Sequence, residues 1–217
     1  MFSLEKKTLL SVKSLSVGRN NAALFKDLSF DLEIGQIALI TGANGSGKTT
    51  LIRQLIGFGK PLKGNISWFA DSVGYLGHNN ALNNELSVTE NINFYLALYN
   101  KTRYFLSSTE TMSNFTNDFI NLKKIRYKKV KHLSVGQQRK LAIYCSVLNI
   151  NLTLGSRFVW VLDEPMANLD KQSIKILLDF ILHISQMSHI PFLNASVILS
   201  AHDHSLLENE LSLLIRI

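Results

Sequence analysis

The sequence predicts an α/β fold, on three observations. Two continuous apolar runs, residues 37–40 and 158–162, have the pattern of strands covered on both faces. A glycine-rich loop, Thr41 to Thr50, joins the first run directly to a helical pattern. Residues 79–150, between the two runs, carry helical periodicity, so a helical insert interrupts a core made of residues 1–78 and 151–217.

Taken in order, Leu10, Val12, Leu15 and Val17, then Leu28, Phe30 and Leu32, alternate with the period of half-buried strands. A turn at Gly35 leads into the 37–40 run. The helix after the glycine-rich loop carries Leu51, Leu55 and Ile56 inward and ends near Gly57 or Gly59. A turn over 60–65 precedes short strands at 66–69 and 72–76. Ser87 with Glu90 three residues on is a capping-box spacing that opens a helix through Leu98, and 113–122 is a second, weaker amphipathic stretch. Beyond 158–162, Asp170 caps a helix over 171–185, and strands follow at 197–199 and 211–217.

The chain has 217 residues, 46% of them hydrophobic and 18% charged, which suits one folded domain and excludes a disordered, collagenous or long coiled-coil chain. No apolar stretch reaches the roughly 18 to 20 residues that cross a bilayer; the longest, 174–184, is broken by Lys175, Asp179 and His183. Cys145 is the only cysteine, so no intrachain disulfide or thiolate zinc site can form, and it is expected in the core. The N-terminus lacks an apolar signal region and an Arg-rich amphipathic helix, so no targeting segment is expected. Of the net +7, six charges lie within nine positions: Lys123, Lys124, Arg126, Lys128, Lys129 and Lys131. This run suits a solvated helix face or a contact with lipid headgroups or a membrane partner.

Gly42, Ala43, Asn44, Gly45, Ser46, Gly47, Lys48, Thr49 and Thr50 have phosphate-loop spacing between a buried strand and a helix. The glycines let backbone N–H groups turn around phosphate oxygens, and the helix start adds positive potential. Lys48 is expected on the β- and γ-phosphates of ATP, and Thr49 on Mg²⁺. Asp163, at the end of the second apolar run, is the carboxylate placed to hold Mg²⁺ beside that loop. Glu164 is placed to polarise the water that attacks the γ-phosphate.

Leu133-Ser134-Val135-Gly136-Gln137-Gln138 resembles the LSGGQ signature of ATP-binding cassette (ABC) ATPases. Ala167-Asn168-Leu169-Asp170 matches their D-loop, and His202 their switch histidine on the γ-phosphate. The resemblance implies an ABC-type P-loop NTPase: a RecA-like mixed sheet core, an N-terminal antiparallel β subdomain and an inserted α-helical subdomain. It implies an ATPase with Lys48, Glu164 and His202 as catalytic residues. It also implies a head-to-tail homodimer in which Ser134, Gly136 and Gln137 reach the nucleotide of the other subunit. His78 falls where the family places a glutamine that touches Mg²⁺ and water, so Thr49, His78 and Asp163 form the expected metal set. Val135 replaces a signature glycine, and tolerance is expected. The adenine-stacking aromatic is absent from Gly18-Arg19-Asn20-Asn21, so either Arg19 stacks by its guanidinium plane or the adenine is held more weakly.

Tyr75-Leu76-Gly77-His78, Glu85 to Tyr95, and Trp160-Val161-Leu162-Asp163-Glu164-Pro165 look like the haem-exporter ATPase subunits of cytochrome c maturation. That resemblance implies a chain peripheral on the inner face of an energy-transducing membrane, bound to CcmB-like and CcmC-like membrane subunits, driving haem export or release of a haem-loaded chaperone. The alternative is the ATP-binding subunit of another small importer or exporter. Nucleic acid is not an expected partner, because ABC ATPases that act on it need long coiled coils or two cassettes. Nor is direct haem binding, since His132, His183, His189 and His204 lack ligand-like spacing. Nineteen asparagines, with 16 Lys against seven Arg, suggest an AT-rich genome and favour the mitochondrial matrix side over a bacterial cytoplasm.

Overall fold

The alternating N-terminal residues form β1 (Thr8–Arg19), which pairs antiparallel with β2 (Ala22–Glu33) on one side and β4 (Lys63–Trp68) on the other. The apolar runs form the second sheet: β3 (Ile37–Thr41), β5 (Ser72–Leu76), β6 (Ser156–Leu162), β7 (Leu193–Ser200) and β8 (Leu213–Arg216), all parallel, in the order β5-β6-β7-β3-β8. The computed structural model describes residues 7–19, 22–100, 115–150, 155–186, 193–201 and 211–217.

The continuous apolar runs are explained by what covers the two faces of this sheet. Ala38, Ile40, Val159, Val161 and Ile198 pack with β1, β2 and helix α1 (Lys48–Leu55). Ile37, Leu39, Phe158, Trp160, Leu162, Val197 and Leu199 pack on the opposite face. There they meet α2 (Val88–Leu98), α4 (Val135–Val147) and α5 (Lys171–Gln186). Successive side chains of a strand point to opposite faces, so a strand buried on both needs an unbroken apolar run.

The local signals act as their chemistry requires. The Ser87 hydroxyl accepts the Glu90 N–H at 3.2 Å and the Glu90 carboxylate accepts the Ser87 N–H at 2.7 Å, closing the capping box of α2. Asp170 accepts the Ser173 N–H at 2.8 Å at the start of α5. The amphipathic stretch predicted over 113–122 is not one helix: its described part is a π-helical turn, Thr116–Ile120, followed by the short α3 (Leu122–Ile125). Asn121, between them at φ 54°, breaks the helix, and asparagine is among the few residues that hold this conformation at little cost. Among the described residues, all regular elements between 79 and 150 are helical, and no helix is long and apolar enough to cross a membrane.

Lys123 and Lys124 on α3 are exposed, Arg126 lies over the Tyr127 ring, and Lys129 and Lys131 both pair with Glu85. Part of the basic run is thus neutralised on the surface. Cys145 is buried, and burial pushes its thiol up, so it remains a protonated core group. Tyr95 donates to the Ala81 carbonyl at 2.7 Å and burial pushes its phenol up to about 12, while its neighbour Phe94 is 58% exposed.

Trp160 is fully buried at the centre of β6; its Nε1 donates to Ser146 Oγ at 2.9 Å and its ring meets Phe180 edge-on. Trp160→Ala is expected to cost about 3–5 kcal/mol of folding stability, chiefly from the cavity, since Ser146 Oγ loses the indole donor but still donates to the Ile143 carbonyl at 2.7 Å. Urea unfolding of the variant against the parent measures it.

Candidate active site

Ligands of open α/β sheets bind beyond the carboxyl ends of the strands. Here the register pairs Leu76 with Leu162, Leu162 with Leu199, and Ile40 with Ser200, so four strands end together. The loops that leave this edge begin after Thr41, Leu76, Leu162 and Ser200.

The first loop enters α1 through Gly47 at φ 111°, a conformation side chains rarely adopt, which is why glycine stands at this helix start. Lys48 is only 5% exposed, and its Nζ donates to the carbonyls of Gly42 at 2.9 Å and Ala43 at 3.2 Å. The ammonium therefore lies against the loop's own backbone. Ser46 Oγ is buried without a hydrogen-bond partner among the described residues.

Asp163 is fully buried. Its Oδ1 accepts from Thr49 Oγ1 at 3.2 Å and from Ser200 Oγ at 2.9 Å. Its Oδ2 is buried without a partner among the described residues. A buried polar atom left so costs about 1–3 kcal/mol, which a cation would offset. A carboxylate and a hydroxyl side by side are the hard oxygen donors that Mg²⁺ takes, so these residues fit the ion.

Glu164, the next residue, is partly exposed and sits at φ 49°. A non-glycine residue there stores on the order of 1–3 kcal/mol of strain. Its backbone is held from two sides: the N–H donates to Ser200 Oγ at 2.9 Å, and the carbonyl accepts from Arg139 Nη2 at 2.8 Å.

His78 follows β5 as Glu164 follows β6. It is exposed and lines a cavity of about 350 Å³ together with Arg53, Tyr75, Asn80 and Tyr95. The structure thus joins Thr49 to Asp163 and leaves His78 on the cavity wall. His202 lies outside the described residues, as do Asn20 and Asn21 next to Arg19.

The signature segment opens α4. Ser134 Oγ accepts the Gln137 N–H at 3.2 Å, and Gln137 Oε1 accepts the Ser134 N–H at 3.1 Å. This reciprocal cap uses the serine oxygen as an acceptor and leaves its proton to donate to an anion at the helix start. Val135 is 60% exposed in the first turn, with an ordinary helical backbone, which explains why a glycine is dispensable there. At Gly136 a Cβ would come within 2.9 Å of the Asn168 carbonyl oxygen, so this glycine is required by close approach of the D-loop. Lys140, one turn on, pairs with Asp170 at 3.7 Å. Gly136→Ala is expected to displace the D-loop and lower ATP turnover up to about 10²-fold, whereas Val135→Gly leaves it unchanged; steady-state hydrolysis compares them.

Two residues that hold this site escaped motif reasoning. Ser200 is a hydroxyl ending an apolar run, a signal that a strand end carries polar work. Arg139 shares a helical face with the buried Ala142 and Ser146, which marks it as an inward-facing cation.

The ABC transporter family model matches residues 25–167, well over half of the chain. The cytochrome c biogenesis ATP-binding export protein CcmA of Vibrio cholerae is 32% identical over 212 residues, covering 93% of this chain and 94% of that protein. CcmA of Rhodobacter capsulatus is 35% identical over 169 residues, 78% of this chain and 72% of that protein. A solved ATP-binding subunit of an ABC transporter superposes with a TM-score of 0.81 at 24% identity, over 97% of this chain and 86% of the other, which supports the fold. On the family match over residues 25–167 and the identity shared with these relatives over most of its length, the chain belongs to the ABC transporter family, as an ATP-binding and ATP-hydrolysing subunit of the CcmA type.

Proposed function

We propose that this chain hydrolyses ATP within a membrane ABC complex for cytochrome c biogenesis, where turnover drives haem export or release of a haem-loaded chaperone. The single observation that carries the hydrolytic reading is Asp163, whose buried carboxylate touches Thr49 and Ser200 and keeps one oxygen unpartnered among the described residues. Thr49 and Asp163 would hold Mg²⁺, and the ion would offset the negative charge of the phosphates. Lys48 binds those phosphates. Glu164 takes a proton from the attacking water as the bond from the γ-phosphorus to its bridging oxygen breaks, and His202 contacts the γ-phosphate.

Residues 1–78 and 151–217 then form the nucleotide-binding core, and 79–150 the helical insert. Two copies pair head to tail, so that Ser134, Gly136 and Gln137 of one complete the site of the other. The specific partners are CcmB-like and CcmC-like membrane subunits, and the chain sits peripherally on the inner membrane face. The relatives compared are bacterial, which supports a cytoplasmic face; the mitochondrial matrix side rests on the Asn- and Lys-rich composition alone.

Affinity capture of the tagged chain from native membranes tests the assembly, with mature c-type cytochromes measured in cells carrying only Glu164→Gln. Co-purification of integral membrane subunits and loss of holocytochrome are expected. Normal holocytochrome in those cells would sink the biogenesis role.

A further inference from the structure

Arg139 is 3% exposed, and the acceptors that hold its guanidinium are uncharged. Nη1 donates to the carbonyls of Gly77 at 3.0 Å and His78 at 3.4 Å and to Asn80 Oδ1 at 3.1 Å. Nη2 donates to the carbonyls of Asp163 at 2.7 Å and Glu164 at 2.8 Å. One planar group, projecting from α4, thus spans the loop after β5 and the loop after β6.

We propose that Arg139 is a positioning residue for ATP hydrolysis, fixing the separation and orientation of the loops that carry His78 and Glu164 and tying both to the signature helix. Burying a cation is costly, and an apolar side chain of similar length would fill the same volume without that cost. The five acceptors show what the charge achieves instead. Four are main-chain carbonyls of the two residue pairs on which the hydrolytic geometry depends. The Glu164 carbonyl matters most, because this residue sits in the left-handed region and its main chain must be held from outside for the carboxylate to stay aimed. A guanidinium reaches both loops because its donors form a rigid fork; an ammonium is a single point with no such span.

The geometry also gives a route for coupling. Arg139 lies five residues beyond Ser134, about 7.5 Å along the helix axis. A displacement of the α4 start on contact with phosphate therefore moves the guanidinium, and with it both loops.

The proposal rests on Glu164 being the general base, so Glu164→Gln is measured in parallel. ATP hydrolysis by the full chain, assembled with its membrane subunits, is followed against MgATP concentration for Arg139→Met, Arg139→Lys and Arg139→Ala, with thermal unfolding recorded for each. Arg139→Met is expected to lower kcat by at least about ten-fold with KM for MgATP unchanged. Arg139→Lys is expected to keep an intermediate rate. Added guanidinium ion is expected to restore part of the rate to Arg139→Ala and none to Glu164→Gln. Parent-like kcat in Arg139→Met, with Glu164→Gln inactive, overturns the proposal. So does a loss confined to thermal stability or KM. Where Arg139→Met does not fold, Arg139→Lys decides, and a full rate there overturns it equally. Undiminished turnover in Glu164→Gln instead removes the reading on which the proposal rests.

Discussion

Glu164→Gln is expected to lower ATP turnover by about 10²–10⁴-fold while nucleotide stays bound. The substitution is nearly isosteric, and the amide cannot accept a proton from water. The hydrogen bond this residue donates to Ser200 and the one it accepts from Arg139 both use its main chain, so both survive the change. Lys48, Thr49 and Asp163 keep their places, and the nucleotide keeps its binding groups. The variant should therefore accumulate an ATP-bound head-to-tail dimer. Single-turnover hydrolysis measures the chemical step, and size-exclusion chromatography with MgATP measures the dimer. A variant that remains monomeric with saturating MgATP, its membrane subunits present, would rule out the sandwich arrangement.

Lys48→Ala should differ in kind. Its ammonium is the buried cation of the phosphate loop and donates to the Gly42 and Ala43 carbonyls. Removing it takes away a tie that shapes the loop and, on the proposed reading, charge stabilisation of the γ-phosphate. Turnover is expected to fall about 10²–10³-fold, and binding should fall with it. ATP raises the melting temperature of a protein only to the extent that it binds the folded state. The parent and Glu164→Gln should thus be stabilised by MgATP, and Lys48→Ala much less at the same concentration. Equal stabilisation of all three would mean that the ammonium does not contact the phosphates.

The local grammar of the chain was legible without coordinates. The capping box at Ser87, the cap at Asp170 and the end of α1 before Gly57 depend on groups a few residues apart, so spacing in sequence is spacing in space. The doubly buried strands were legible because a strand covered on both faces has no place for polar residues. Where local signals conflicted, they failed: 113–122 has helical periodicity, but Asn121 adopts φ 54° and divides its described part.

The site divides along the same line. The phosphate loop, the acidic pair after β6 and the signature segment are readable as candidates from the chain itself, because each is contiguous and the chemistry proposed for it requires those residue types at that spacing. What holds them together is visible only in the folded chain. Ser200 binds Asp163 across 37 positions, Arg139 reaches Gly77 across 62, and the Asn168 carbonyl makes Gly136 obligatory while Val135 is free to vary. Such contacts have no spacing rule, because they arise where separate strands happen to end at one edge, and that edge exists only once the parallel sheet has formed.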